Sequence, residues 1–581
     1  MIKQLLKVFS VIGQSNRRKT IKILLLLILI AAFELLGLSL IIPILTVIFN
    51  KDNISQYEQF VKLNEKLGLE INLIVFLGAI FISVLIIKIL LLLFFEYKSQ
   101  KFLRDIHINL GTKAYGYFLG MPWNELVKLN HSYIMRNIVN DISKFVSQGI
   151  QKYLNIIKGF FFSSFIVGYL FYTDFISTLI IIFFAIIFSV IMTLSLQKKY
   201  LFLSQKSAET EKFRYKNISE SIQNLRDIKL NGDKNFFLRL FRNNENITTD
   251  IVVMHAMLSK IPRYTIEILL VFSLVSVLIY YDINNYDVVN LIPIFGLYGV
   301  AILRLIPVVI AFNLDIQAIR SAKDQIDEVI KNTTQSYKLK FTEILNNQEK
   351  NSEKFLKSLK SNNQIKLEIQ NLEFGYEKHN LIIKNTNLKI NQGKTICIVG
   401  RNGSGKSTFL DLISGFLLPS SGKIKMNDFD ISQYKEEWQQ NIGYVSQSNF
   451  IIGDTIKNNI LFGRDKITDD QIDVALETVK LKEFIDFLPN KLNTEIGTLG
   501  DRLSGGQRQK INIVRALVKD PKIIILDEAT NALDINSEEN FLSVINNIKK
   551  DKIIIFIAHS KKIENFCDEK YTVENNTLIK F

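Results

Sequence analysis

The chain has 581 residues, 48% of them hydrophobic, and a mean hydropathy of +0.17, a balance that argues against an entirely water-soluble protein and for one part soluble and part buried in lipid. Lys and Arg outnumber Asp and Glu by 71 to 56, a formal net charge of +15, but the lysines are scattered over loops and a linker, where they set topology and meet anionic lipid rather than build a nucleic-acid surface. Two cysteines, Cys397 and Cys567, leave no disulfide framework and no CxxC metal site.

The first apolar run, residues 21 to 49, follows Arg17, Arg18 and Lys19. It is too long for a signal peptide and lacks a small-residue cleavage site, so it reads as a membrane span. Residues 71 to 95 form a second run with a single cation, Lys88; each exceeds the roughly 20 residues that cross a hydrocarbon core. Between them, Ile54, Tyr57, Val61 and Leu67 recur near helical spacing while Glu58, Lys62, Glu65 and Lys66 take other faces, which predicts a short amphipathic helix at the outer surface. The stretch from about 150 to 196 is too long for one crossing and breaks at Tyr172-Thr173-Asp174, giving an outward span, a tight turn and a return. Residues 261 to 281 and 288 to 313 make another pair, joined at Asp282-Ile283-Asn284-Asn285, for six spans in all.

The short turns carry no cation, whereas segments 96 to 149 and 197 to 257 are rich in Lys and Arg, so the positive-inside rule places both termini and both long loops in the cytoplasm. Phe102, Ile106 and Leu110 keep helical spacing, with no proline until Pro122, so the membrane helices should continue into the cytoplasm and turn at a tip. Asn130-His131-Ser132-Tyr133 and the run Gln223 to Lys229 are the expected tips. Glu34, Lys88, Arg263, Glu267 and Arg304 are ionisable residues within spans, where charge is costly and defaults to function. Lys88, Arg263 and Arg304 fall toward the inner-leaflet half, where three cations could receive a phosphate or pyrophosphate; the competing reading has Lys88 and Arg263 snorkelling or pairing with Glu267 and Glu34. The polar stretch 322–365, full of Lys, Asn, Glu and Ser, reads as a linker between a membrane domain (1–321) and a second domain (366–581).

That second domain carries the chemistry. Cys397 lies in an apolar strand leading into Gly400-Arg401-Asn402-Gly403-Ser404-Gly405-Lys406-Ser407-Thr408, a phosphate loop whose glycines let backbone N–H groups converge on phosphate oxygens, with Lys406 reaching the β/γ-phosphates and the Ser407 hydroxyl on Mg²⁺. Ile523 to Leu526 describe a buried strand ending in Asp527, whose carboxylate can hold Mg²⁺ through water, and Glu528 follows where it can polarise the attacking water.

Together with Leu503-Ser504-Gly505-Gly506-Gln507, these motifs resemble the nucleotide-binding domain of ATP-binding-cassette (ABC) proteins, and the entire chain resembles an ABC exporter half-transporter. The resemblance implies a multi-domain protein: an N-terminal all-α membrane domain of six helices with the type IV exporter fold, then an α/β P-loop domain. It implies that Tyr376 stacks on adenine, Gln447 contacts Mg²⁺ and the attacking water, His559 contacts the γ-phosphate, Asp534 couples the two sites, and the signature from Leu503 to Gln507 meets the ATP of a second subunit at a helix N-terminus. Asn531 and Ser560 depart from the family's usual Ser and Arg. Thr494-Glu495-Ile496-Gly497 resembles a segment by which exporters touch membrane-domain loops, and the two loop tips are the expected contacts in return. ATP and Mg²⁺ are the implied cofactors, a homodimer in a bacterial cytoplasmic membrane the implied assembly, and no nucleic acid is expected. Ile261-Pro262-Arg263-Tyr264 with Glu267, Leu303-Arg304-Leu305-Ile306-Pro307, Glu34 and the external amphipathic segment resemble more narrowly the PglK-type flippase of polyprenyl-diphosphate-linked oligosaccharides, with Lys88 at one cavity cation and apolar Ala311 at another. The alternative is an exporter of drugs, lipid A or peptides.

Overall fold

The computed structural model describes residues 17–49, 58–66, 72–284, 288–338, 354–359, 365–377, 380–497, 500–529, 535–557 and 560–581. The chain divides into two compact units, Met1–Met121 with Leu129–Leu339, and Pro122–Lys128 with Lys340–Phe581.

The first unit is helical. Its long elements are α1 (Arg17–Ser39), α2 (Leu73–Leu119), α3 (Gln151–Thr173), α4 (Phe175–Gln223), α5 (Lys234–Ile283) and α6 (Val288–Ser321), followed by α7 (Lys323–Lys338). At 1.5 Å per residue α2 runs on the order of 70 Å, about twice a hydrocarbon core, so a membrane span and its projection are one continuous rod. Among the described residues four helices are long and apolar enough to cross a membrane: Arg18–Phe49, Leu73–Leu119, Tyr133–Thr173 and Ile292–Ser321. Of the six spans expected, the other two lie in α4 and α5, which show the shorter apolar helices Phe175–Phe184 and Val271–Tyr281 and include residues whose side chains are outside the described set. Asp174 punctuates α3 and α4: its carboxylate caps α4 by accepting from the backbone of Ile176 and Ser177. Phe95, Phe102, Ile106 and Leu110 on one face of α2 join Ile142, Phe145, Ile150 and Tyr153 in a buried core. Pro293 and Pro307 sit inside α6. Of the external segment, Ile54, Tyr57 and Leu67 lie outside the described residues; Glu58–Lys66 is a helix whose Phe60 packs against Leu40, Val47 and Leu77.

Two expectations need correction. The linker begins later than its composition implies, because Ile326, Val329 and Ile330 of α7 form an apolar stripe that packs into the same core as Ile142 and Phe145. The tip of the first long loop is also earlier than Asn130–Tyr133. Gly120 ends α2, Pro122 cannot donate to a continuing helix, and Trp123–Leu126 forms a separate short helix that belongs to the second unit, its Trp123 ring 5.5 Å from that of Phe416. Asn130 to Tyr133 instead start a helix of the first unit, His131–Arg136, where the Tyr133 hydroxyl donates to Glu328 at 2.5 Å. In the second loop, a break at Asn224 separates α4 from an exposed helix, Leu225–Asn231, that overlaps the expected tip.

The second unit is an α/β domain. Strands β1 (Lys366–Phe374), β2 (Ile383–Asn391), β4 (Ser421–Met426) and β5 (Phe429–Asp430) form an antiparallel sheet in the order β2-β1-β4-β5. A six-stranded sheet runs β10-β9-β3-β8-β7-β6, with β3 (Thr395–Val399), β6 (Ile442–Val445), β7 (Ile523–Asp527), β8 (Ile553–Ile557) and β9 (Glu569–Glu574) parallel and β10 (Thr577–Lys580) closing a hairpin. Burial on both faces explains why β8 is apolar throughout and β7 apolar until Asp527. The neighbours β3, β8 and β7 all run the same way, so their carboxyl ends open on one edge, where Val399 leads into the phosphate loop and Asp527 and Glu528 leave β7.

Candidate nucleotide site

From β3 the chain passes through Gly400 to Gly405 and enters α8 (Lys406–Ile413) with Lys406 at its first turn. Gly405 has φ of +102° and lies against Ile382, so a Cβ there would be both strained and within 2.9 Å of that side chain. A cavity of about 770 Å³ opens over this loop, lined by residues 402 to 408, by Gln447 and Glu528, and by Asn380 to Ile382 and Asn576. The N-terminus of α8 adds partial positive charge at its floor. The ammonium of Lys406 donates to the carbonyls of Gly400 and Arg401 at 2.8 and 3.0 Å, and burial holds its pKa below the usual lysine range against the opposing pull of Glu528 and Asp527. The Ser404 hydroxyl is buried with no hydrogen-bond partner among the described residues. Both polar groups are placed for an anion, which would draw Lys406 from the backbone carbonyls and give the Ser404 hydroxyl a partner.

Across the cavity, the Gln447 amide donates to the Glu528 carboxylate at 2.7 Å. Glu528 stands in the left-handed region, φ +51°, which L residues adopt at a cost, and which turns its carboxylate out of the sheet toward the cavity. Asp527 accepts from the Tyr444 hydroxyl at 3.1 Å; burial raises its pKa, with the adjacent Glu528 pushing the same way. Burial and Asp527 also lift Asp411, on α8, to about 6. A hydroxyl at Ser407, a carboxamide at Gln447 and a carboxylate at Asp527 are hard oxygen donors of the kind Mg²⁺ takes, and Ser407 and Gln447 both line the cavity.

The signature stands elsewhere. Ser504 caps α9 (Gly505–Leu517), accepting from the Gln507 backbone at 3.2 Å while the Gln507 side chain accepts from the Ser504 backbone at 2.9 Å. A Cβ at Gly505 would meet nothing within 4 Å, so this helix start is open to an approaching group. None of residues 503 to 507 lines the phosphate-loop cavity. Tyr376 is 52% exposed, edge-on to Phe374, and also outside the lining. His559 and Asp534 lie outside the described residues. Asn576, which the motifs did not single out, enters from the β9–β10 hairpin with φ of +65°, its amide donating to the Leu381 carbonyl at 2.7 Å; the Asn575-Asn576 pair before a closing strand was its signal.

In the membrane unit, Lys88 and Arg304 are not free cations. Their nitrogens lie 2.6 and 2.8 Å from the two oxygens of one carboxylate, Glu34, whose side chain is 1% exposed. The side chain of Arg263 is outside the described residues. The pairing expected for Lys88 thus applies to Arg304 as well, and a carboxylate buried in an apolar span requires it.

Residues 383–531 match the family model for the ABC transporter domain. A Rickettsia prowazekii protein named as an export ATP-binding/permease protein is 44% identical over 205 residues, 35% of this chain and 36% of that protein. ABC transporter B family member 1 of Dictyostelium discoideum is 41% identical over 196 residues, 33% of this chain and 22% of that one. The chain thus matches between about a fifth and little more than a third of the length of these curated relatives. A solved bacterial Atm1-family ABC exporter with ATP bound superposes with a TM-score of 0.73 over 97% of this chain and 95% of its own, at 18% identity. The chain therefore carries an ABC transporter domain and, along its whole length, the fold of an ABC exporter: a helical membrane domain followed by an α/β nucleotide-binding domain.

Proposed function

We propose that the protein is an ATP-driven exporter, working as a dimer in which each phosphate loop faces the signature of the other copy. The observation that carries this is the single cavity holding the phosphate loop, Gln447 and Glu528, with the signature helix capped and open but outside it. One chain supplies half of two sites and no complete one. In the closed dimer, Lys406, Ser404 and the loop N–H groups bind the β- and γ-phosphates, and Tyr376 offers its face to adenine. Ser407, Gln447 and Asp527 would hold Mg²⁺, which supplies charge neutralisation on the phosphates. Glu528, oriented by Gln447, accepts the proton of the attacking water; His559 and Asp534 carry the family's γ-phosphate and inter-site roles. Cytoplasmic placement of the nucleotide domain follows from the distribution of cations over the loops.

The cargo we assign is a lipid-linked anion, a polyprenyl-diphosphate oligosaccharide moved from the inner to the outer leaflet. The Lys88–Glu34–Arg304 cluster supports it: two cations on one carboxylate leave a single positive charge within the span, and Arg304, 30% exposed, is the member an entering diphosphate can reach. Glu528→Gln should retain ATP binding and lose steady-state hydrolysis, whereas Lys406→Ala should lose binding; hydrolysis surviving in the purified Gln variant would remove Glu528 as base. Proteoliposome flipping of the labelled lipid, lost in Arg304→Gln with basal ATPase intact, tests the cargo. Export of an apolar drug or peptide without flipping would overturn it.

A further inference from the structure

Away from the nucleotide site, a cavity of about 410 Å³ opens among α4, α5 and α6. Two helical stripes make its walls. On α5 they are Val252, His255, Ala256 and Ser259, and on α6 Leu314, Gln317, Ala318 and Ser321, each at i, i+3, i+4, i+7 spacing. Such stripes close against each other when filled with Leu or Ile. Here Ala256, Ser259, Ala318 and Ser321 are too small to do so, and the space between stays open. Tyr200 of α4 forms the third wall, its ring 5.8 Å from that of His255. Tyr200 is 9% exposed, and its hydroxyl, beside the Gln317 amide, has no hydrogen-bond partner of good geometry among the described residues. A buried hydroxyl facing an open polar cavity is costly without an occupant.

Charge defines that occupant. No carboxylate lines the cavity; Arg320 does, and no ion pair to it is found among the described residues. Each wall adds a cation beside a lining position: Lys199 next to Tyr200, Lys260 next to Ser259, and Lys323 just beyond Ser321. The nearest buried acid on α6, Asp315, is taken by Lys152 at 2.9 Å. Burial holds His255 below the ordinary imidazole range.

Depth identifies the source. At the outer end of the α5–α6 hairpin the rings of Tyr281 and Phe295 meet at 6.0 Å. The lining residues lie 22 to 29 residues from that contact along α5 and 19 to 26 along α6, roughly 28 to 44 Å at 1.5 Å per residue, which spans the inner edge of the hydrocarbon core and the headgroup region. Its polar wall is therefore level with lipid headgroups on the side where α4 and α5 project, while Val252, 61% exposed, and Leu314 offer apolar surface at its mouth.

We propose that this cavity is a binding site for the phosphate headgroup of an anionic membrane lipid of the cytoplasmic leaflet, held by Arg320 with Tyr200, Gln317 and Ser259 as hydrogen-bonding partners. The assignment stands apart from the cargo reading, and its test needs neither ATP nor transport. Full-length protein in phosphatidylcholine liposomes is labelled with a photoactivatable phosphatidic acid, and cross-linked peptides are mapped by mass spectrometry. Labelling should fall on residues 252–259 and 314–321. Unlabelled phosphatidic acid should compete, phosphatidylcholine and inorganic phosphate should not, and Arg320→Gln should weaken labelling by about tenfold, the loss of one charge-assisted contact. Ala318→Leu, which fills the cavity without touching charge, should abolish labelling while leaving the melting temperature and ATP binding unchanged. Equal labelling of Arg320→Gln, equal labelling by a photoactivatable phosphatidylcholine, or competition by inorganic phosphate as strong as by the lipid would each overturn the proposal.

Discussion

Replacing Glu34 with Gln keeps the size of the side chain and removes one charge from a buried set of three. In the wild type its two oxygens face Lys88 at 2.6 Å and Arg304 at 2.8 Å, with side-chain exposures of 1%, 7% and 30% for Glu34, Lys88 and Arg304. Lys88 is left as an uncompensated cation in an apolar span, a loss of about 3 to 5 kcal/mol for a fully buried pair. Arg304 reaches solvent and adds little. A net destabilisation of about 3 kcal/mol, at roughly 2 °C per kcal/mol for a unit of this size, lowers the melting temperature by about 6 °C. Differential scanning fluorimetry of the protein in nanodiscs reads this directly. Arg304→Gln alone keeps the Lys88–Glu34 pair and should shift the transition by no more than about 2 °C; Lys88→Met combined with Glu34→Gln should recover most of the loss, because the stranded charge is gone. If Glu34→Gln melts within 1 °C of the wild type, by the about 6 °C scale just given, the carboxylate is not the counterion and the cluster is misread.

Three further outcomes can be checked. Asp411, lifted to about 6 by burial and by Asp527, is a carboxyl whose folded pKa lies above its unfolded value, so its ionisation costs stability that grows as pH rises from about 4 to 6 and stays constant above; Asp411→Asn should raise the melting temperature of the nucleotide domain at pH 7 and leave it unchanged at pH 4. A mixed dimer with one Ser504→Arg chain should retain one of two nucleotide sites, and full ATPase activity from a demonstrated monomer would end the dimer model. Trp123→Ala removes the ring that meets Phe416, and should leave ATP affinity intact while uncoupling substrate from ATPase stimulation; unchanged stimulation would make that contact incidental.

Motifs that act through backbone geometry were legible in the sequence to the residue. The glycines of the phosphate loop and the Ser504-Gly505-Gly506 start of α9 declare their conformations, because few other residues tolerate them. Element ends set by weak competition were not. Asn130-His131-Ser132-Tyr133 reads as a turn by composition, yet Tyr133 has a half-buried acceptor in Glu328, contributed from almost two hundred residues away, and that contact holds the segment helical. Likewise the polar surface of α7 hid the three residues that dock it, since composition averages over faces that a helix separates. The Glu34 pairing was foreseen for one cation and not for two, because spacing along separate helices says nothing of their rotation about one another.

Pro307 has a consequence for mechanics. Lacking an N–H, it leaves the carbonyl of Leu303 without its rung in the ladder of α6, so bending the helix at that level breaks no hydrogen bond. About two turns above Leu303, Gly296 receives the tip of the Leu45 side chain, so that end of α6 packs closely on the helix Ile41–Phe49. The helix is thus clamped on one side of Leu303 and compliant on the other, and Arg304 is the first side chain past the joint. Any flexing of α6 must stretch or swing the ion pair to Glu34, so α1 and α6 share an electrostatic latch that a mechanical hinge works.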